Sequence, residues 1–399
     1  MTSERAGRLV RQPTGYSAFV PASLPPPDLR VDGSLLTLLS EADRALGRLD
    51  GVGASVPDIN HFLYAYVRRE ALLSSQIEGT QATLIDVLEF EASRRDAAEP
   101  RDVRDVINYI NALNTGIELL HTLPLSRKFL CDTHSLLMHG VRGGEPAKTP
   151  GEFRRSQNWW GGTSPATARF VPPPHHELGQ IFSDFEKFLH DGSHGLPPLV
   201  QIGLAHAQFE TIHPFLDGNG RMGRLLITFW LIEHGLLHQP LLYISLFLKQ
   251  HRDTYYERLQ AVRVNGDWEG WLAFFLEAVV AVATEAASTA QRIHGLREVT
   301  RAHVTQRLGK RVGHALRVLD HLFSHPVIVP STLEKLLGVS QPTASALVNE
   351  LATVGVLSEV TGRKKNRIFV FRAYTDLFPE VEVDQPGAQA VDDDLPQSD

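Results

Sequence analysis

Residues 211–224 read TIHPFLDGNGRMGR, and this stretch decides how the rest of the chain is interpreted. A tight turn needs glycine and asparagine, because both adopt left-handed backbone conformations at low cost. A turn alone does not need two arginines at helical spacing, or a histidine directly before a proline. The stretch therefore indicates a binding or catalytic site between two helices.

The backbone of this stretch is predicted to form an anion site. A following proline disfavours helical backbone at His213, so the helix LVQIGLAHAQFETI should end at about Ile212. The apolar segment RMGRLLITFWLIEHG should begin a second helix at about Asn219. The N–H groups of the intervening loop LDGNG would then converge at a helix N-terminus, which is an arrangement that binds anions.

The charged side chains of the stretch point to a nucleotide's phosphates. Arg221 and Arg224 share a helix face, and guanidinium groups suit phosphate oxygens. Asp217 supplies the kind of oxygen that Mg²⁺ prefers beside phosphates. His213 would lie at the mouth of the site with a pKa near working pH, suited to take a proton from an attacking hydroxyl.

The alternatives to a phosphate site are a calcium site, a zinc site and a helix–helix connection without a binding role. A calcium loop lacks spaced acidic ligands after Gly218. A zinc site from His206 and His213 has suitable spacing, but no HExxH motif accompanies it. A simple helix connection explains DGNG but not the whole set of residues.

The segment HPFLDGNGRMGR, residues 213–224, resembles the signature of Fic domains, H-x-F-x-[DE]-G-N-G-R-x-x-R, at every fixed position. GEFR at 151–154 and YISLFLKQHRDTYYERL at 243–259 also resemble the family, and the resemblance covers roughly residues 15–290. It implies a protein adenylyltransferase that moves AMP from ATP to a Ser, Thr or Tyr hydroxyl of a target protein or of itself, with release of pyrophosphate.

The resemblance also implies roles for single residues. His213 is the general base, Phe215 anchors the loop in the core, and Asp217 holds Mg²⁺. The residues implied to hold the ATP phosphates are Asp217, Gly218, Asn219, Gly220, Arg221 and Arg224. Arg224 grips the γ-phosphate, and glycine rather than lysine at position 220 favours AMP transfer over phosphate transfer. A nucleotide donor other than ATP stays open.

The segment SSQIEGT, residues 74–80, resembles the Fic inhibitory motif [ST]-x-x-x-E-[GN]. Ser74 and Glu78 are four residues apart on one helix face, and Gly79 is a typical helix stop. The resemblance implies that Glu78 pairs with Arg224 through a bidentate contact and occupies the space of the γ-phosphate. An ordinary surface glutamate at a helix end is the alternative.

The periodicity of the chain predicts a mainly α fold: a Fic-type helical bundle with a small β-hairpin flap and a C-terminal winged helix-turn-helix domain. Residues 1–30 are predicted to form an extended arm, and residues 149–174 contain the flap. Helices are predicted from Gly33 and Thr83 onward and over 57–75, 103–122, 127–140, 177–191, 197–212 and 219–235.

Four regions follow from the composition. We predict an N-terminal Fic extension with the inhibitory helix over 1–100, a Fic catalytic core over 101–298, a winged-helix module over 299–375 and an acidic disordered tail over 376–399. Residues 301–372 contain 11 Lys and Arg against 4 Asp and Glu, so this part is basic. The basic turn RKKNR at 363–367 suggests DNA phosphate contacts, but the predicted recognition helix QPTASALVNEL lacks Lys and Arg, which favours protein contact or dimer support.

The remaining expectations concern partners and location. A target segment is expected to pair with the edge of the flap at 163–171 and present its hydroxyl to His213. A homodimer is a further expectation. Cys131 is the only cysteine, no apolar run is seen that reaches the ~18 residues of a membrane span, and the chain start lacks the apolar core of a signal peptide, so a cytoplasmic protein without membrane contact is predicted. Alternative functions are a DNA-binding transcriptional regulator with a nucleotide-sensing Fic domain, or removal of AMP from proteins.

Overall fold

The computed structural model describes residues 4–55, 59–93, 101–141, 143–362 and 367–378. Within these ranges the chain is mainly helical, as predicted. The helices are α1 Gly33–Ser55, α2 Asn60–Ile77, α3 Leu84–Ser93, α4 Arg101–Leu119, α5 Arg127–Leu137, α6 Leu178–His190, α7 Pro198–Ile212, α8 Asn219–Glu233, α9 Ser245–Gln250, α10 Arg252–Asn265, α11 Trp268–Arg307, α12 Val312–Ser324, α13 Pro330–Leu337, α14 Gln341–Thr353 and α15 Arg372–Thr375. The strands are β1 Gly7–Arg11, β2 Ser17–Pro21, β3 Val327–Ile328, β4 Ser358–Glu359 and β5 Phe369–Val370.

Helices α7 and α8 form the centre of the core. Both are buried on nearly every side, which is typical of a helix that is apolar all round. α8 packs against α7 and α4, and α7 packs against α6, α10 and α11. The loop between α7 and α8 is therefore fixed at both ends by buried helices.

Helix α11 corrects one sequence prediction. The 40 residues of Trp268–Arg307 pack along α1 and run through the predicted boundary at 298–299. This helix is long and apolar enough to cross a membrane by length and composition alone, so the prediction that no such segment exists is wrong. Because 61% of the apolar window is buried inside the protein, as in the core helix of many proteins, this is weak evidence for a membrane span.

An N-terminal β-hairpin was missed by the sequence analysis. β1 and β2 pair in antiparallel register from Gly7 opposite Pro21 to Arg11 opposite Ser17. The backbone N–H of Phe19 donates to the carbonyl of Val171 at 2.8 Å, so the hairpin rests against the region of the predicted flap. The rest of the predicted arm after β2, residues 22–30, contains no helix or strand.

The flap region contains much less strand than a two-stranded hairpin. A single antiparallel bridge joins Trp160 to Phe170, with backbone hydrogen bonds of 2.9 and 3.1 Å. The half-exposed ring of Trp160 stacks on Tyr256, with ring centroids 5.6 Å apart. The flap is therefore held by its aromatic contacts as well as by its backbone.

The C-terminal part follows the predicted order of elements. α13 ends at Gly338, whose φ is +67°, and α14 follows after a short turn. The three short strands form an antiparallel sheet in the order β3-β5-β4. Of the basic turn RKKNR, only Arg367 lies within the described residues, and residues 379–399 of the predicted acidic tail lie outside them. The winged-helix interpretation stays a prediction.

The C-terminal part lies against the first half of α2. The rings of Tyr64 and His325 are 4.5 Å apart. The guanidinium of Arg69 lies 6.0 Å from the ring centre of Phe378, and the rings of Tyr66 and Phe378 are 6.3 Å apart. α12 also packs against α2, the helix that ends directly before Glu78.

Two glycine substitutions test the packing of the core. A Cβ at Gly116 in α4 would overlap the buried ring of Phe229 in α8, so Gly116→Ala should destabilise the fold by about 1–3 kcal/mol. Gly47 in α1 is exposed and has nothing within 4 Å of an added Cβ, so Gly47→Ala should stabilise the fold by ~0.5–1 kcal/mol. Urea denaturation would measure both, and equal effects of the two substitutions would contradict the packing described here.

Candidate functional site

The loop between α7 and α8 has the predicted ends. α7 ends at Ile212, and His213 follows in a left-handed conformation with φ +51° and ψ 60°. Its N–H donates to the carbonyl of Phe209 at 2.9 Å. α8 begins at Asn219 after Gly218, whose φ is +75°, and a Cβ at Gly218 would lie 2.6 Å from the sulfur of Met138. The left-handed backbone of a histidine is strained, and such strain is concentrated at functional sites.

Asn219 and Phe215 hold the loop in shape. The side-chain oxygen of Asn219 accepts the N–H of Phe215 at 2.9 Å, and its amide donates to the carbonyl of Phe215 at 2.9 Å. The fully buried ring of Phe215 stacks on His134, with centroids 3.8 Å apart and planes at 4°. Both faces of the loop are thus fixed by side chains within the protein.

The tautomer of His134 follows from its neighbours. The backbone N–H of Gly151 donates to Nδ1 at 2.9 Å, so Nδ1 has no proton. Nε2 therefore bears the proton and donates to the carbonyl of Asp217 at 3.0 Å. Burial lowers the pKa of His134 to about 4, which keeps the ring neutral. The sequence analysis missed this support of the loop.

His213 is held as a neutral base. Its Nδ1 lies 3.4 Å from the carbonyl of Glu210, and because a carbonyl only accepts, Nδ1 bears the proton and Nε2 has a free lone pair. Burial, followed by the positive charges of Arg154 and Arg263, lowers the pKa of His213 to about 4. The predicted pKa near working pH is therefore wrong, because the sequence showed neither the burial of this ring nor the two cations beside it. Arg154 also donates to the carbonyl of His213 at 2.9 Å.

Arg224 is buried and is bound by the end of α2. Its Nε donates to Ser74 Oγ at 2.8 Å, and its Nη2 donates to the carbonyl of Ser74 at 2.9 Å and to Glu78 Oε1 at 2.7 Å. Ser74, Glu78 and Arg224 therefore meet, as predicted. The predicted bidentate carboxylate contact is wrong, because Glu78 accepts a hydrogen bond from Nη2 alone and Nε donates to Ser74 instead.

The carboxylate of Glu78 lies over the first turn of α8. α2 ends at Ile77, and Gly79 follows with φ +101°. A Cβ at Gly220 would collide with Glu78 Oε1, so glycine at this position leaves room for the carboxylate. Burial raises the pKa of Glu78, but the Arg224 charge and hydrogen bond outweigh it, and the net pKa is lowered. The carboxylate is therefore ionised at neutral pH.

Arg221 and Asp217 lie on the other side of the same turn. Arg221 Nη2 is 3.7 Å from Asp217 Oδ1, and Nη1 is 3.7 Å from Asp105 Oδ1. The Nε of Arg221 is buried with no hydrogen-bond partner among the described residues. Asp217 Oδ1 accepts the N–H of Gly218 at 2.6 Å. Burial raises the pKa of Asp217, against the opposing charge of Arg221.

The residues fit Mg²⁺ but not a metal site built from protein ligands alone. Among the described residues, no group of three or more His, Cys, Asp or Glu could hold a metal ion. The side chain of Asp217 is 41% exposed and accepts a hydrogen bond at one oxygen, which suits an ion held mainly by phosphates and water. The zinc alternative is not favoured, because both ring nitrogens of His206 have partners in Gly223 and Tyr255.

Comparison with known proteins identifies the family. Residues 36–118 match the Fic/DOC family N-terminal region, and residues 124–231 match the Fic/DOC family. The chain is a Fic domain protein. The two matches contain the inhibitory motif and the loop signature respectively, and the C-terminal part from α12 onward lies outside both.

Curated relatives share part of the chain. A protein named protein adenylyltransferase Fic from Drosophila grimshawi is 32% identical over 172 residues, which are 43% of this chain and 31% of the relative. The protein of the same name from Aedes aegypti is 36% identical over 128 residues, which are 32% of this chain and 23% of the relative. This Fic domain protein therefore matches less than a third of the length of these relatives.

A solved structure shares the fold. The crystal structure of a Fic family protein from Desulfovibrio desulfuricans G20 is similar with a TM-score of 0.56 and 21% sequence identity. The similarity covers 86% of this chain and 98% of that one. At this identity the likeness shows the Fic fold alone.

Two buried carboxylates near Arg224 were not predicted from the sequence. Glu70 and Glu210 are buried, and the carboxylates of both are influenced by the charge of Arg224. Burial raises the pKa of Glu210 to about 7, and its Oε1 has no hydrogen-bond partner among the described residues. The sequence contains one signal for Glu70: it lies four residues before Ser74, which places it on the same helix face as the motif SSQIEGT.

The pKa of His213 gives a direct test. A lowered pKa means that the ring stays neutral as pH falls, and binds a proton only near pH 4. Histidine-selective NMR of the free protein, assigned with His213→Ala, should show no titration of this ring between pH 8 and about 5.5. A midpoint between 6 and 7 would contradict the burial and the cationic surroundings described above.

Proposed function

We propose that this Fic domain protein is an autoinhibited protein adenylyltransferase, which transfers AMP from ATP to a Ser, Thr or Tyr hydroxyl of a target protein or of itself. The observation that supports this most directly is the contact of Glu78 with Arg224 over the first turn of α8. Because an anion already lies against the arginine, a triphosphate would find its γ-phosphate position taken. The names of the curated relatives support the same activity.

Release of Glu78 prepares the site for ATP. The N–H groups at the start of α8 and the guanidinium groups of Arg221 and Arg224 would hold the phosphates. The unpartnered Nε of Arg221 is a buried donor that a phosphate oxygen would satisfy. Asp217 would hold Mg²⁺, which neutralises charge that develops on the phosphates when bound.

His213 is suited to accept the proton. The target hydroxyl would lie beside the free Nε2, since Nδ1 faces the carbonyl of Glu210. As the hydroxyl oxygen bonds to the α-phosphorus, its proton passes to Nε2, and the bond from the α-phosphorus to pyrophosphate breaks. The rate gain comes mainly from positioning and charge stabilisation.

The partners belong to the same proposal. The flap at 163–171 would present its edge to an extended target segment, so that recognition depends more on backbone than on side chains. The half-exposed Trp160 lies beside this segment, as the bridge partner of Phe170. The proposal also includes a homodimer and a protein contact through the C-terminal winged helix. It includes a cytoplasmic location, where ATP is supplied.

The decisive experiment compares the wild type, Glu78→Gly and His213→Ala in Mg²⁺ and α-labelled ATP. Loss of the charge-assisted Arg224 contact should raise label on the Glu78→Gly protein roughly 10- to 100-fold over wild type. The double variant Glu78→Gly with His213→Ala should take up no label, because the base is missing.

Two controls sharpen this experiment. Glu78→Gln keeps the side-chain volume but not the charge, and should give an intermediate increase. Absence of label from all proteins, with ATP binding intact, would contradict AMP transfer. Loss of label from an already modified target in the presence of wild type would favour removal of AMP.

A further inference from the structure

Arg224 is also held by Ser74, a residue that is separate from the contact with Glu78. Two of its three hydrogen bonds go to Ser74, and only one goes to Glu78. Ser74 is fully buried, so it does not occupy the open side of the guanidinium. The contact that blocks the site and the contacts that hold the arginine are therefore made by different residues.

Glu70 anchors the buried side of this arrangement. It lies one helical turn before Ser74 and two turns before Glu78, so all three residues share one face of α2. Its carboxylate accepts from the hydroxyl of Ser245 at 2.5 Å, the N–H of Ser245 at 3.3 Å and the hydroxyl of Tyr109 at 3.1 Å. A buried carboxylate costs little when donors satisfy it, and here α4 and α9 supply them.

Tyr109 links this carboxylate to Ser74. Its hydroxyl donates to Glu70, and its oxygen interacts with the side chain of Ser74. Arg224 donates to Ser74, and Tyr109 donates to Glu70. Ser74 and Tyr109 are thus the hydroxyl groups next to the cation and next to the buried carboxylate respectively. Buried polar networks hold their members in place when the groups are satisfied.

We infer that Glu70 and Tyr109 are positioning residues that act through Ser74 to keep Arg224 in the orientation that receives the γ-phosphate once Glu78 has moved away. This rests on the proposed function in one respect, namely that Arg224 binds the γ-phosphate. α2 would then have two roles. Glu78 at its end blocks Arg224 in the inhibited state, and Ser74 holds Arg224 in place in the active state.

The test measures nucleotide affinity in the Glu78→Gly background, where the blocking carboxylate is absent. Tyr109→Phe removes only the linking oxygen, and should raise the Kd for MgATP about fivefold to tenfold. The Kd for MgADP should change by less than about twofold, because ADP has no γ-phosphate. In AMP transfer the KM for ATP should rise while kcat changes little.

Tyr243→Phe is the matched control. Tyr243 is also buried and feels the charge of Glu70, but its hydroxyl has no hydrogen-bond partner among the described residues. Removal of the Tyr243 hydroxyl should leave the Kd values for MgATP and MgADP equal to those of the Glu78→Gly protein. Thermal melting of each variant checks that the fold is retained.

Glu70→Gln separates positioning from charge. If Glu70 only reduced the positive charge at Arg224, removal of its charge would tighten ATP binding. If it positions the arginine, ATP binding weakens while ADP binding is kept. Tighter or unchanged ATP binding in both Glu70→Gln and Tyr109→Phe would overturn the inference.

The outcomes for the proposed function remain distinct. A Glu78→Gly protein that binds ATP but transfers no AMP would refute the proposed activity, and the affinity measurements would still decide the positioning inference. A Glu78→Gly protein that binds ATP and ADP equally would show that Arg224 does not contact the γ-phosphate, and would overturn the inference as well.

Discussion

A buried guanidinium at the start of α8 is the constraint on which the arrangement of the N-terminal helices depends. Arg224 is 1% exposed, and an unpaired charge at such a position would cost on the order of several kcal/mol. The only hydrogen bonds described for its side chain go to the end of α2. α2 must therefore finish beside α8, and the rest of the N-terminal region packs around that requirement.

The charge of the site comes from arginines and not from histidines. Burial holds the pKa values of His134, His206 and His213 at about 4, so these rings are neutral over the ordinary pH range. Burial lowers the pKa values of Arg154 and Arg263 to about 10, which still leaves both charged at neutral pH. The charges of these arginines and histidines are thus constant in this range, and His213 stays free of a proton, whereas the buried Glu210, whose pKa is raised to about 7, ionises within it.

The loop and the helices on either side could be predicted from sequence because their signals are local. Glycine at 218, proline at 214 and the apolar runs on each side define the ends of α7 and α8 within one or two residues. The contact of Glu78 with Arg224 joins residues 146 positions apart, and it was expected only because the motif SSQIEGT resembles the inhibitory motif of a known family.

Features that depend on tertiary surroundings were not predictable. The pKa of His213 is lowered first by burial and then by Arg154 and Arg263, which lie far from it in the sequence and close to it in space. The N-terminal hairpin has strands of five residues each, and part of its stability comes from the contact of Phe19 with Val171. The hydrogen-bond partners of Glu70 come from two distant segments, α4 and α9, so its buried position could not be distinguished from a surface glutamate in a helix.

The packing of the C-terminal part against α2 has a practical consequence for dissecting this protein. Tyr64 and Tyr66 lie on α2, the helix directly before Glu78, and are covered by His325 and Phe378 respectively. A shortened chain that stops after α11 would expose these aromatic rings to water and remove the lateral support of α2. Changes in the activity of such a shortened chain would reflect a loosened α2 as much as the loss of any binding partner of the removed segment. Point substitutions on the outer face of α14 separate these two effects, because they leave the cover of α2 in place.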